Sequence, residues 1–230
     1  MHLLDGKVII HEVPLGAHGE VAGEIGKRMI IWHNNLIVSG ERDVIVDRNS
    51  VLRPDASIRP DQLPAPPAGQ GCDASGWPYP TLVVEVGLSE GLLSLHSLVR
   101  RYFNQRTTIQ LYLAIKIFGR RNDGTRSLVA FLYERTSPNP GRPVLVKSFG
   151  TAPMHWSAYQ FFRRRRVPIQ NITGFGINNA PPCNGPGIQI YQINIPTNAI
   201  FYGFTAIKPS NLANGFDLNL YRWHWHFKYY

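Results

Sequence analysis

The chain predicts an α/β fold, a mixed central sheet with helices on its faces, on three observations. Apolar runs such as Leu82–Val86 and Gln110–Phe118 have the length and β-branched content of inner strands. Two other segments, His18–Leu36 and Leu92–Phe103, repeat their apolar residues at spacings of three and four, the period of an amphipathic helix. The coarse order is strand, helix, several strands, helix, strands, which suits one layered α/β core.

Taken in order, Lys7–Val13 alternates loosely as a first strand and is closed by Pro14 and Gly16. In the helix from His18 to Leu36, Val21, Ile25, Met29 and Trp32 form the apolar stripe, and Glu20 and Glu24 lie one turn apart on another face. Val44–Val46 and Val51–Ile58 read as short strands, the second interrupted by Pro54, which lacks a donor and belongs at a strand start, an edge or a bulge. Pro60–Pro80 is a loop rich in proline and glycine, long enough to be either mobile or functional. Leu82–Val86 is the clearest strand, Leu92–Phe103 the second helix, and Gln110–Phe118, Ser127–Glu134 and Pro143–Phe149 are further strands separated by the turns RRNDGT and SPNPGRP. Beyond Gly150 the signal weakens. FFRRRR at Phe161–Arg166 ends a short helix, Gly187–Pro196 and Ile200–Ile207 look like strands, and the tail YRWHWHFKYY is aromatic and basic together.

A length of 230 residues suffices for one full-sized core. Two cysteines, Cys72 and Cys183, neither in a CxxC pair, are too few for a disulfide scaffold and exclude a zinc ribbon. No apolar run is long enough for a transmembrane helix, and the first residues lack the basic flank and apolar core of a signal peptide, so an intracellular location, cytoplasmic or nuclear, is expected. The formal charge of +9 is uneven: residues 1–115 carry ten basic and twelve acidic side chains, residues 116–230 fourteen and three. A basic C-terminal half suits a polyanionic partner. His224 and His226 alternate with Trp223 and Trp225, but without a third ligand of matching spacing they do not make a metal site.

Glu85 poses the sharpest question, because a carboxylate flanked by valines in TLVVEVG is costly to bury without a partner. Together with Asp55 it forms a pair of oxygen ligands suited to a divalent cation of magnesium type. The competing reading is an outward-facing residue on a half-exposed strand.

The succession VLRPDASIRP, YPTLVVEVGLSE, a helix ending RRYF and the strand QLYLAIKIF resembles the restriction-endonuclease-like domain family, a branch of the PD-(D/E)XK nuclease superfamily with members in bacteria and some fungi. Pro54–Asp55 and Glu85–Val86 match its two best motifs, and the resemblance covers about residues 7 to 150. It implies a restriction-endonuclease-like mixed central sheet flanked by helices in residues 1–150, with 151–230 a basic, aromatic extension or a continuation of the same domain. It also implies Mg2+- or Mn2+-dependent hydrolysis of DNA phosphodiesters, with Asp55 and Glu85 as metal ligands. The Val86 carbonyl is a further ligand, and Glu20 or Glu24 adds one or holds a metal water. A homodimer is the corresponding assembly for cutting both strands.

The lysine departs from the pattern. The position two residues after the acid is Gly87, and the alternative position on the following helix, four residues before Tyr102, is Leu98. Arg100 and Arg101 on the helix and Lys116 on the next strand are the cations at hand. An arginine stabilises phosphate charge but is a poor proton acceptor, so Lys116 is the better chemical substitute, its competing reading being a strand lysine that reaches solvent. Arg163, Arg164, Arg165 and Arg166 suit backbone phosphates, with Trp156, Tyr159, Phe161 and Phe162 beside them to pack or to stack on bases; a nuclear import signal or a solvated basic face fits the same run. The function expected is a metal-dependent endonuclease. The alternative is a catalytically inactive protein that keeps the fold to bind nucleic acid or to serve a mobile element.

Overall fold

The computed structural model describes residues 2–9, 16–40, 42–205, 212 and 214–223. A short hairpin, β1 (His2–Leu4) and β2 (Lys7–Ile9), precedes the first helix, α1 (Gly16–Trp32). Strand β3 (Leu36–Ser39) follows at once, so α1 ends four residues before the expected Leu36. His33–Asn35 make the turn: the Asn35 amide bonds the His33 ring and the Leu36 amide bonds the His33 carbonyl, as residues whose side chains and carbonyls compete with helical bonding do. Gly26 lets α1 lie close on β3, since a Cβ there would stand 2.5 Å from Val38 Cγ1.

The single strand expected over Val51–Ile58 is two. β4 (Val44–Asp47) and β5 (Ser50–Leu52) join β1 and β2 in a four-stranded sheet of order β2-β1-β5-β4. After Arg53 and Pro54 the chain leaves that sheet and enters the central one as β6 (Ala56–Pro60). Proline has no N–H to give a ladder, and it stands where the chain changes sheets.

The central sheet has seven strands in the order β11-β10-β9-β8-β7-β6-β3, built from β7 (Leu82–Gly87), β8 (Leu111–Ile117), β9 (Ser127–Glu134), β10 (Leu145–Gly150) and β11 (Ile172–Gly174) in addition to β3 and β6. β7 runs parallel to β8 through the crossover helix α2 (Leu92–Tyr102), and β10 runs parallel to β11 after α3 (Trp156–Arg164); the remaining pairs are antiparallel. This is a mixed parallel and antiparallel central sheet flanked by helices, the α/β architecture that the sequence predicts. β7 and β8 are buried along their whole length, which is why their sequences are almost uninterruptedly apolar.

Successive side chains go to opposite faces. Val84, Val86, Leu113 and Ile115 pack with Val21, Ile25 and Met29 of α1 and with the hairpin of β12 (Gln192–Ile195) and β13 (Phe216–Asn219). Val83, Tyr112 and Ala114 pack with Leu95, Leu98 and Tyr102 of α2, Phe162 of α3, and Val44 and Leu52 of the small sheet. The residues after 150 therefore add an edge strand to the central sheet and cover part of its α1 side. The strand expected from Ile200 is instead the end of a helical turn, α4 (Thr197–Ile200), started by Pro196, whose carbonyl takes the Ile200 amide. His224 and His226 lie outside the described residues, as does part of the first strand expected over Lys7–Val13.

The proline-rich loop 61–80 has no regular structure but is pinned over β4. The Tyr79 hydroxyl donates to the Ile45 carbonyl at 2.6 Å, the Ile45 amide to the Cys72 carbonyl at 2.6 Å, and the Trp77 ring lies between the Arg42 and Arg59 guanidinium groups at 5.1 and 5.0 Å. Both cysteines are buried and free. Among the described residues no helix is long and apolar enough to cross a membrane.

Candidate active site

Strand directions bring three of the expected residues to one end of the sheet. Asp55 stands just before β6, Glu85 lies toward the C-terminal end of β7, and β6 and β7 are antiparallel. β8 is parallel to β7, with Glu85 opposite Ala114 and Gly87 opposite Lys116, so Lys116 leaves the sheet on the same face as Glu85 and one step further toward the same end.

The backbone fixes Asp55. Its amide donates to the Val84 carbonyl at 3.1 Å, and its Oδ2 accepts the Val86 N–H at 2.6 Å, so the carboxylate continues the β6–β7 ladder. His18 of α1 brings Nε2 to 3.3 Å from the same oxygen. Burial pushes the Asp55 carboxyl up to about 6, against the opposing pull of His18 and the Val86 N–H, and the charge of Glu90 adds to the rise.

Glu85 is more deeply placed, with 4% of its surface exposed. The Tyr102 hydroxyl donates to Oε1, and His2 Nε2 stands 3.9 Å away. Burial first, then the charges of Asp55 and Glu90, raise its pKa well above the usual carboxylate range, while the Tyr102 bond lowers it. Tyr102 continues into a row of rings across this face, 5.1 Å from Tyr112, which stacks on Tyr133 at 5.4 Å. Their hydroxyls bond inward, Tyr112 to the Leu95 carbonyl and Tyr133 to His96 Nδ1.

Lys116 is 7% exposed, and its Nζ donates to the Leu88 carbonyl at 2.5 Å, in the turn that follows β7. Gly87, two residues after Glu85, is tightly packed. A Cβ at position 87 would stand 3.0 Å from Leu95 Cδ1 and 3.2 Å from Glu90 Cβ. The turn and α2 close over this position, and the ammonium comes from the adjacent strand.

The remaining candidates lie elsewhere. Glu24 pairs with Arg28 at 2.8 Å and lines a groove with Ile31, Trp32 and Phe216. Glu20 is on the exposed side of α1. The α1 residue at Asp55 is His18, which shares the face of Val21 and Ile25. Arg100 is exposed and borders a groove with Val99, Phe103, Pro140 and Gly141. Arg163–Arg166 close α3, where Arg165 covers the Phe161 ring at 3.5 Å and Phe162 is buried. Among the described residues no group of three or more His, Cys, Asp or Glu side chains is arranged to hold a metal ion.

Glu90 and His2 are site residues that sequence reasoning missed. Glu90 follows Glu85 by five residues in a Ser-Glu-Gly turn and carries no period, and His2 comes from a hairpin remote in sequence; neither leaves a local signal.

No family model and no curated protein matches the chain. Among solved structures it is similar to a candidate nuclease of the DUF820 group from Anabaena variabilis, with 14% identity and a TM-score of 0.44 over 70% of this chain and 89% of that one. At that distance no residue role passes from one protein to the other, and the site stands on its own geometry.

Proposed function

We propose that the protein is a divalent-metal-dependent endonuclease of DNA whose reactive centre is Asp55, Glu85 and Lys116. The observation that carries the reading is two desolvated carboxylates on neighbouring strands at one end of the sheet, near enough for the Asp55 charge to act on Glu85, with an ammonium on the same face of the next strand. Two carboxylates held together out of water repel, and a small divalent cation is the partner that turns this repulsion into binding.

The donor set fits magnesium or manganese. Such an ion takes one or two carboxylates and completes its shell with water and substrate phosphate, so a two-carboxylate site needs no third acidic ligand. When bound, the ion would acidify a water and offset charge on the phosphate oxygens. The Val86 N–H holds the Asp55 carboxylate in place and Tyr102 orients Glu85. The Val86 carbonyl is a further candidate ligand. The Lys116 ammonium, released from the Leu88 carbonyl, neutralises charge that gathers on the phosphate. His18 would have to leave the Asp55 oxygen it contacts if that oxygen took the ion.

The test is calorimetric titration of Mg2+ and Mn2+, with and without an oligonucleotide, on wild-type protein, D55A and E85A, with plasmid nicking by the same preparations and by K116M. Ion binding should be weak alone and strengthened by DNA, and both should be lost in D55A and E85A. K116M should keep ion binding and lose nicking on the order of a hundredfold. Equal ion binding by wild type and both variants would remove the site.

A second reading is favoured by the glycine at position 87, tightly packed against Leu95 and Glu90, where the nuclease pattern has its lysine. In it the fold is kept to bind nucleic acid without cutting. DNA binding untouched by D55A and E85A, with no nicking by wild type in either metal, would establish that reading instead.

A further inference from the structure

The basic segment at α3 presents its aromatic residues unequally. Phe162 is buried and Phe161 is covered by Arg165, so neither can receive a ligand. Trp156 is 68% exposed, and its ring stacks on Tyr159 at 5.5 Å with 22° between the planes. One turn on, Arg163 and Arg164 are exposed, and Arg163 follows Trp156 by seven residues and so lies on the same side of the helix.

This stripe connects to the carboxylate end of the sheet. Lys116 Nζ lies 5.7 Å from the Phe118 ring, Phe118 stacks on His155 at 5.6 Å and 14°, and His155 is the exposed N-cap of α3, next to Trp156. Arg121, from the turn after β8, holds the Pro153 carbonyl at 3.0 Å on the approach to α3. Glu134 is the single acidic residue between Asp123 and Asp217, so the track runs through a part of the chain almost without negative charge.

We infer that this track, His155, Trp156 and Tyr159 flanked by Arg163 and Arg164, binds single-stranded nucleic acid, and that it leads the strand to the Asp55–Glu85 end. Exposed ring faces stack on unpaired bases, whereas a duplex offers mainly phosphates and base edges to a protein surface. Arginines at the end of the ring stack match a phosphate backbone whose bases lie on the rings. The inference rests on the nuclease reading only for where the strand leads; binding itself needs no metal.

The test is fluorescence anisotropy with a labelled oligo(dT) and a hairpin duplex of equal length, in EDTA, over a range of salt. Wild type should prefer oligo(dT). W156A should weaken oligo(dT) binding by roughly five- to a hundredfold at unchanged salt slope, and W156F should recover most of it. R163A/R164A should lower the salt slope by about 0.7 for each phosphate no longer neutralised. Equal affinity of wild type for duplex and oligo(dT), or oligo(dT) affinity unchanged in W156A, would overturn the track. So would Trp156-dependent binding to phosphatidylglycerol vesicles without oligo(dT) binding, which would make the patch a lipid surface. Trp156-dependent binding without nicking would sink the nuclease reading and leave the track. Nicking by W156A at the wild-type rate, with its oligo(dT) affinity unchanged as well, would do the reverse.

Discussion

The molecule treats its carboxylates in two ways. Asp5 and Asp47, in the small sheet, both meet Arg101 of α2: the guanidinium donates to Asp5 at 2.8 and 3.2 Å and to Asp47 at 3.0 Å, and it holds the Asp5 carboxyl below the usual range. Glu85 and Asp55, at the central sheet, have side chains 5% and 17% exposed against 29% for Asp47, yet their hydrogen-bonding and ion-pairing partners among the described residues are a backbone N–H, a tyrosine hydroxyl and two imidazoles. A chain with 24 lysines and arginines had cations available for this pair as well. The more accessible carboxylates received an arginine, whereas the buried pair is met by a backbone N–H, a tyrosine hydroxyl and two imidazoles. That inversion is the arrangement the proposed metal site requires.

The inversion makes the site costly to stability, and this can be measured. The folded-state pKa of Asp55 is raised to about 6 from an ordinary 3.8. The folded protein thus favours the protonated acid. The stability this confers is fully present below pH 3.8 and is lost as the pH rises through about 6, and Glu85 extends the loss upward. D55N keeps an oxygen for the Val86 N–H and removes the ionisation. It should stabilise the protein by about 2–3 kcal/mol at pH 7 and by almost nothing at pH 3.5, read from urea unfolding at both values. Millimolar Mg2+ or Mn2+ should raise the wild-type midpoint at pH 7 and leave D55N where it is. A D55N protein less stable than wild type at neutral pH would mean that Asp55 is paired more strongly than its neighbours suggest.

A smaller effect sharpens the same contrast at Glu85. Tyr102 donates to Oε1 and favours the ionised form. Y102F should cost about 1–2 kcal/mol, with the larger part appearing where Glu85 must ionise, so the difference from wild type should widen as pH rises. Thermal midpoints of the two proteins across pH 5 to 9 would read it, and a gap that does not change with pH would assign Tyr102 to packing alone.

How much of this was legible in the sequence depends on how local each signal is. β7, α2, β8 and β9 were readable because burial on both faces, or on one helical side, writes a period or an unbroken apolar run into consecutive residues. The pairing of Asp55 with Glu85 rested on the order of two short motifs, and the antiparallel β6–β7 ladder supplies the geometry behind that order. β3 was hidden because its four residues, LIVS, continue the apolar content of α1 and only the turn at His33–Asn35 separates them. Pro54 is visible in the sequence as an interruption, but that the chain passes to another sheet there depends on partners far away in sequence. The places of Glu90 and His2 and the packing of α2 against Gly87 are tertiary facts of the same kind. The exposed Trp156 and the covered Phe161 are both aromatic residues of α3, and only packing tells them apart.

The smallest effect tests the other side of the comparison. Arg101 reaches Asp5, Asp47 and the Ser50 hydroxyl and so ties the small sheet to α2. These are partly exposed pairs whose attraction water and salt screen, and the hairpin is also held by backbone ladders. R101A should therefore lower the thermal midpoint less than Y102F does, and the difference should fade at high salt. Hydrogen exchange should quicken at the amides of β1 and β5 and stay unchanged at β7 and β8, which belong to the central sheet. Nicking should remain, because the guanidinium is occupied by the small sheet and not by the Asp55–Glu85 end. Loss of nicking with exchange at β1 and β5 unchanged would mean that Arg101 serves the phosphate after all, and the contrast between the two pairs of carboxylates would have to be drawn elsewhere.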